Sequence, residues 1–262
     1  MKKRSKKIKI KASNKNWRQL YDVSKRFIAM TSATKKETLD VLLAIEEIFV
    51  NISKYAYPAG IEGFVWIEMT YTEEIKEVII IFEDCGVPFD PTARKKPNLK
   101  IPYKEKKLGG LGIHMVKNLM DCMTYKHLGN KNYLKIGKKL KSGRWIKLGV
   151  MKLKKTETDG KVVYKISGRI DTQSAPDLQD DIDALFEKIK ENGTNKIELV
   201  LDFKNVEYTS SAGLRTILYT KKKIDSMAEG SKLEIINISP EIMEVFDMTG
   251  FSDFLSLNGL EN

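Results

Sequence analysis

At 262 residues, 42% hydrophobic and 31% charged, the chain has the composition of a soluble globular protein and the length of two ordinary domains. Its longest purely apolar run, Val78-Ile79-Ile80-Ile81-Phe82, is far too short to cross a bilayer, so no membrane segment is expected. The formal charge of +11 divides unevenly: residues 1–150 hold 31 basic and 15 acidic side chains (+16), and residues 151–262 hold 15 and 20 (−5). A solvated lysine-rich surface explains the basic half more simply than nucleic-acid binding, which is not expected. The opposite signs suit docking of an acidic module on a basic one.

In chain order, the lysine-rich start lacks an apolar stretch after it, so a secretory signal is not expected. Residues 6–11 alternate as a half-buried strand does. Trp17, Leu20, Val23, Phe27 and Ile28 fall at helical spacing within 16–30. Thr34 and Glu37 form a capping-box pattern that opens a second helix, continuing to about Ala56 before Pro58. Strands follow at Phe64–Tyr71 and Glu77–Glu83. After a long lysine-bearing loop (92–107), Gly109-Gly110-Leu111-Gly112 opens a third helix to about Met120, and a strand near Tyr133–Ile136 closes the first half.

The second half begins near residue 146, with 138–147 as a plausible junction. Strands at 161–166, 196–203 and 232–238 alternate with helices at 175–191, 212–227 and 240–249, the rhythm of an α/β domain. Ser239-Pro240 suits a helix start and Gly250 a stop. Cys85 and Cys122 lack metal spacing and are too few for a disulfide framework, so a reducing, cytoplasmic setting is expected.

Three features of the first half carry chemistry. Glu47 and Asn51 lie four apart on the second helix, with Lys54 on the same face, away from the apolar stripe of Leu39, Leu42, Ile45, Phe49 and Ile52. An ordinary solvent face is the simpler reading of that face alone. Glu83-Asp84-Cys85-Gly86-Val87-Pro88-Phe89-Asp90-Pro91 follows an apolar strand, where glycine permits close backbone approach to a ligand, although a plain turn uses the same residues. Gly109-Gly110-Leu111-Gly112 precedes a helix, where free N–H groups suit a phosphate. It is neither a Walker loop, lacking Gly-Lys-Ser/Thr, nor a Rossmann turn, since it follows a loop and not a strand.

In order and spacing, Glu46-Glu47-Ile48-Phe49-Val50-Asn51, the Asp84–Pro91 stretch and Gly109–His114 together resemble the N, G1 and G2 boxes of the GHKL ATPases, and within them the anti-sigma-factor serine kinases, over about residues 6–140. The resemblance implies a GHKL (Bergerat) α/β sandwich with a mixed sheet over 1–145, binding ATP and Mg²⁺. Asn51 would offer its oxygen to Mg²⁺, and Asp84 would accept from the adenine amine. Lys54 would belong to the same nucleotide site, Gly86 would let the backbone close on the base, and Gly109, Gly110, Leu111 and Gly112 would cradle phosphates under a lid formed by 92–111. Glu47 would be the general base, since it and not Glu46 has the four-residue spacing to Asn51. Some of these kinases carry an arginine on the first helix; here Tyr21 stands there, with Arg18 one turn earlier.

In the second half, Leu199–Phe203 followed by Val206–Arg215, with Ile166–Asp171 and Met248–Phe251, resembles the STAS domains of the anti-sigma-factor antagonist type, over about 148–258. The resemblance implies a STAS α/β domain over 146–262 with Ser211 as phosphoacceptor and Ser210 where many members have aspartate. A strand-to-helix N-cap is the competing role for either serine. Together the two resemblances imply an ATP- and Mg²⁺-dependent serine kinase, phosphorylating a STAS serine in a partner-switching pathway. Its partners would be a sigma factor or another STAS or anti-sigma protein, with a PP2C-type phosphatase and a homodimer as further expectations. The alternative is an ATP-binding module that recruits a partner through its STAS domain without transfer.

Overall fold

The computed structural model describes residues 2–93, 111–141, 151–158, 161–191, 193 and 196–260. They form two compact units, one holding the described residues through Lys141 and the other those from Met151 onward. Each has its own five-stranded sheet, so the two-domain α/β architecture expected from the strand and helix rhythm is present.

The first unit runs β1 (Lys3–Lys11), α1 (Trp17–Ile28), α2 (Lys35–Tyr55), β2 (Phe64–Thr72), β3 (Glu77–Asp84), α3 (Leu111–Leu119), β4 (Cys122–Leu128) and β5 (Lys131–Lys139). The strand order is β1-β2-β3-β5-β4. Every neighbouring pair is antiparallel, so the mixed sheet expected here is found in the other unit. The reason is local: each sheet neighbour is reached by a hairpin or by a return that reverses direction. Period-two alternation buries Val78, Ile80, Phe82 and Asp84 on one face of β3 and leaves Glu77, Ile79, Ile81 and Glu83 half-buried on the other. The buried face meets α2 and the turn before it: Lys138 pairs with Asp40 at 3.1 Å, and Tyr71 shares a 3.0 Å hydrogen bond with Ser32.

The start of α2 is the capping box the sequence predicts. Thr34 Oγ1 accepts from Glu37 N (3.2 Å), and Glu37 Oε2 accepts from Thr34 N (2.8 Å). The other oxygen of Glu37 accepts from Lys141 N at 2.5 Å, tying the helix start to the end of β5. Thr34→Ala should therefore lower stability by about 1 kcal/mol, measurable as a reduced unfolding midpoint, with Thr34→Ser close to wild type.

The second unit runs β6 (Lys152–Thr158), β7 (Lys161–Ile170), α4 (Ala175–Glu191), β8 (Glu198–Thr209), α5 (Ser211–Asp225), β9 (Lys232–Ile238), α6 (Pro240–Thr249) and β10 (Ser256–Gly259). Its order is β10-β9-β8-β7-β6, with β6–β7 antiparallel and the other pairs parallel. Helices supply the long crossovers that parallel neighbours need. Ser239 caps α6 by accepting from Ile242 N (3.4 Å), Pro240 occupies its first turn, and Gly250 ends it in the left-handed region at φ 64°. No described helix is long and apolar enough to cross a membrane.

Candidate active site and the Ser211 turn

The middle of α2 is buried on all sides, from Glu37 through Val50, with both α3 and α1 packed along it. The polar row therefore divides: Glu47 is 4% exposed, Asn51 half-buried and Lys54 exposed. Glu46, its acidic neighbour, is 0% exposed. What distinguishes Glu47 is Gly112, in the first described turn of α3. A Cβ there would overlap Glu47 Oε2, so it is the missing side chain that admits the carboxylate to this turn. The expected solvent face is thus a helix–helix contact at Glu47 and becomes open only toward Lys54. Leu111, beside Gly112, is buried. Gly109 and Gly110, like most of the expected 92–111 lid, lie outside the described residues. At the lid's described edge, Asp90 Oδ1 accepts from Thr92 N (2.8 Å) and Thr92 Oγ1 (2.6 Å), and Lys117 Nζ donates to Thr92 O (2.8 Å). The Thr92 hydroxyl bond in particular holds the Asp90 carboxyl below its ordinary range.

Asp84 ends β3 on the buried face. Its Oδ1 accepts from Gly86 N at 2.8 Å and from Asn132 Nδ2 at 2.9 Å. Gly86 is needed for a close approach: a Cβ would collide with the Ala56 carbonyl and lie 2.6 Å from Ala56 Cβ, while Val87 N donates to Ala56 O at 2.7 Å. The turn after β3 is thereby sewn to Ala56, the C-cap of α2. Tyr57 adds a second stitch, donating to Phe64 O (2.7 Å) and accepting from Cys85 N (3.2 Å). Burial pushes the Tyr57 phenol above its ordinary value, so it stays protonated.

The first-helix position of interest is a core position. Tyr21 is buried edge-on against Trp17 (5.8 Å between centroids), and Arg18 lies on the surface, paired with Asp22 at 3.3 Å.

In the second unit, Ser210 is the N-cap of α5, its Oγ accepting from Ala212 N at 3.2 Å. The capping role thus falls to Ser210, and Ser211, 2% exposed, is the first residue of the helix. Ser210 N donates to Ile170 O (2.9 Å), joining the turn to the end of β7. Gly213 lets the helix sit against these strand ends, since a Cβ would lie 2.5 Å from Thr209 Oγ1 and 2.8 Å from Ile170 Cγ2. Beside the turn, Arg169 and Asp171 form a buried ion pair with Nε–Oδ2 2.6 Å.

Asn132, Tyr125 and Tyr57 were not singled out by the sequence. For Asn132 a signal existed: the apolar alternation of Leu134 and Ile136 extends back to it, placing an amide on a buried row.

Gly86 and Gly112 are places where this unit's own atoms lie against the backbone, the Ala56 carbonyl at the first and the Glu47 carboxylate at the second, and among the described residues no group of three or more His, Cys, Asp or Glu could hold a metal. One amide oxygen from Asn51 fits Mg²⁺ held chiefly by phosphates and water.

Residues 10–138 match the family model of the histidine kinase-like ATPase domain, and residues 152–260 that of the STAS domain. The chain is 30% identical over 101 residues to a putative anti-sigma factor antagonist, BtrV, of Bordetella bronchiseptica, covering 38% of this chain and 80% of that protein. It is also 30% identical over 106 residues to the anti-sigma-B factor antagonist of Bacillus subtilis, covering 40% and 87%. Among solved structures, an anti-sigma factor antagonist from Mycobacterium paratuberculosis matches with 23% identity and a TM-score of 0.35, over 42% of this chain and 86% of that one.

Proposed function

We propose, from the premise that this chain belongs to the STAS-domain anti-sigma factor antagonist family and carries a histidine kinase-like ATPase domain ahead of it, that it is an ATP-dependent serine kinase acting on a STAS serine. The observation that carries this reading is the Glu47 carboxylate set against Gly112, in the turn of α3 where a phosphate would meet helix N–H groups. Asp84 engages the adenine amine, Gly86 allows the base close to the backbone, and Asn51 offers its oxygen to Mg²⁺, which when bound neutralises phosphate charge. Lys54 stands at the open end of the same row. In the transfer the serine Oγ bonds to the γ-phosphorus as the β–γ bridge breaks and ADP departs. The hydroxyl proton passes to Glu47.

Ser211 is the acceptor we assign, because the Ser210 hydroxyl already serves the helix cap. Its burial means that the turn must open for transfer. A phosphate there adds about −1.5 to −2 charges, tolerated by the α5 N-terminus yet disruptive to a partner docked on the turn. The partners are then a sigma factor or another STAS or anti-sigma protein, with a PP2C-type phosphatase resetting the switch and a homodimer allowing transfer between chains.

Intact-mass measurement after incubation with Mg-ATP should show one added phosphate, mapped to Ser211 and absent in Ser211→Ala and Glu47→Ala. Ser210→Ala should keep the label while losing about 1 kcal/mol of stability from the cap. Label that persists in both Ser211→Ala and Glu47→Ala would falsify the kinase reading. A second reading, ATP binding without transfer, is favoured by one observation: Tyr21 fills a core position where a guanidinium would otherwise approach the phosphates. Tight ATP binding with no labelled product over hours would decide for it.

A further inference from the structure

We infer that Asn132 is the positioning residue through which this site distinguishes adenine from other purines, a step that rests on the ATP reading above. The sheet register sets Asn132 directly opposite Asp84 on β3 and opposite His127 on β4. It is 4% exposed, and every hydrogen-bonding valence of its amide is used. Nδ2 donates to Asp84 Oδ1 (2.9 Å) and to Gly86 O (3.1 Å). Oδ1 accepts from the Tyr125 hydroxyl (2.7 Å) and meets His127 Nδ1 at 3.0 Å. A flipped amide would set oxygen against a carboxylate and a carbonyl, so this orientation is enforced, and the same logic places a proton on His127 Nδ1. The Tyr125 phenol is a durable donor: burial raises its pKa, with the Asp84 and Asp90 carboxylates adding to the effect against a lowering bond to the Phe89 backbone.

The consequence falls on Asp84. Its hydrogen bonds from described residues, Asn132 Nδ2 and Gly86 N, both land on Oδ1. The carboxylate cannot rotate without losing both, so Oδ2 is the oxygen presented to an exocyclic amine. Asn132 also fixes the Gly86 carbonyl, and so the turn along which the base lies. It acts through Asp84 and not on the reacting atoms.

The test compares Mg-ATP with Mg-ITP, which carries a carbonyl in place of the amine, by calorimetric titration of the full chain. Wild type should prefer ATP by about ten- to a hundredfold, the range of a hydrogen bond to a charged group. In Asn132→Ala, ATP binding should weaken by about tenfold or more while ITP binding changes little, so that most of the preference disappears. The rate of serine labelling at saturating ATP should hold near wild type, which separates positioning from catalysis. Tyr125→Phe, at a half-buried edge position, removes one of the two bonds to Asn132 Oδ1 and should give an intermediate preference. A folded Asn132→Ala or Tyr125→Phe protein with the wild-type ATP-to-ITP ratio overturns the inference. Wild type that binds neither nucleotide overturns the ATP reading itself, and this one with it.

Discussion

Gly112→Ala should abolish phosphoryl transfer while leaving the unfolding midpoint within a few degrees of wild type. The new Cβ would occupy the space of Glu47 Oε2, which is the far end of a flexible side chain and can swing aside. Alanine is also the better helix former, by up to about 1 kcal/mol, which offsets the cost of moving the carboxylate. The displaced carboxylate no longer faces the turn of α3, so the base is lost although the fold is kept. Gly86→Ala makes the contrast. Its Cβ would strike the Ala56 backbone carbonyl, which cannot turn away, and would part Val87 N from Ala56 O. That change should cost about 1–3 kcal/mol as overpacking does, and should remove ATP binding with it. Labelling rate, nucleotide titration and thermal melting on both variants separate the two outcomes. A Gly112→Ala protein labelled at the wild-type rate would remove Glu47 from the base role.

The two glycines also mark what could be read from the chain beforehand. Their place in short motifs was visible, and so was the alternation along β3 that carries Asp84 inward. The Thr34–Glu37 capping box fixed the phase of α2, and with it the shared face of Glu47 and Asn51. What that phase could not convey is that α3 covers the face at Glu47, since tertiary contact decides whether a polar helix side meets solvent or another helix. The edge strands β4 and β6 were equally hidden. Their residues, Cys-Met-Thr-Tyr-Lys-His-Leu and Lys-Leu-Lys-Lys-Thr-Glu-Thr, bury too little to leave an apolar rhythm, as edge strands with charged side chains often do. Asn132 lay beyond the first residue of the strand as the sequence marked it. Its partners Tyr125 and His127 stand on one of those hidden edges, so the network assembles only once β4 is paired. Ser210 and Ser211 were both possible caps until the start of α5 gave that role to the first of them.

The largest stability effect belongs to Arg169. Arg169→Ala should destabilise the second unit by about 3–5 kcal/mol, the range for leaving one member of a buried ion pair alone. The pair is nearly inaccessible, with side chains 4% and 1% exposed and Nε–Oδ2 2.6 Å apart. Asp171 has further work: its Oδ1 accepts from Gln173 N and Ser174 N, each at 3.0 Å, organising the loop into α4. Between the pair in sequence stands Ile170, whose carbonyl accepts from Ser210 N and whose Cγ2 backs Gly213. Strain introduced at Arg169 therefore reaches the Ser210–Gly213 turn through one residue. Urea unfolding of the full chain should show the transition of the second unit moving to lower denaturant. The double variant Arg169→Met with Asp171→Asn should regain much of the loss, because neither charge is then stranded and the carboxamide oxygen still accepts from Gln173 N and Ser174 N. If Arg169→Ala alone shifts that transition by less than about 1 kcal/mol, the pair is solvated or replaceable and the 3–5 kcal/mol expectation fails. If the double variant is as unstable as the single one, the cost lies in the guanidinium's packing and not in the stranded charge.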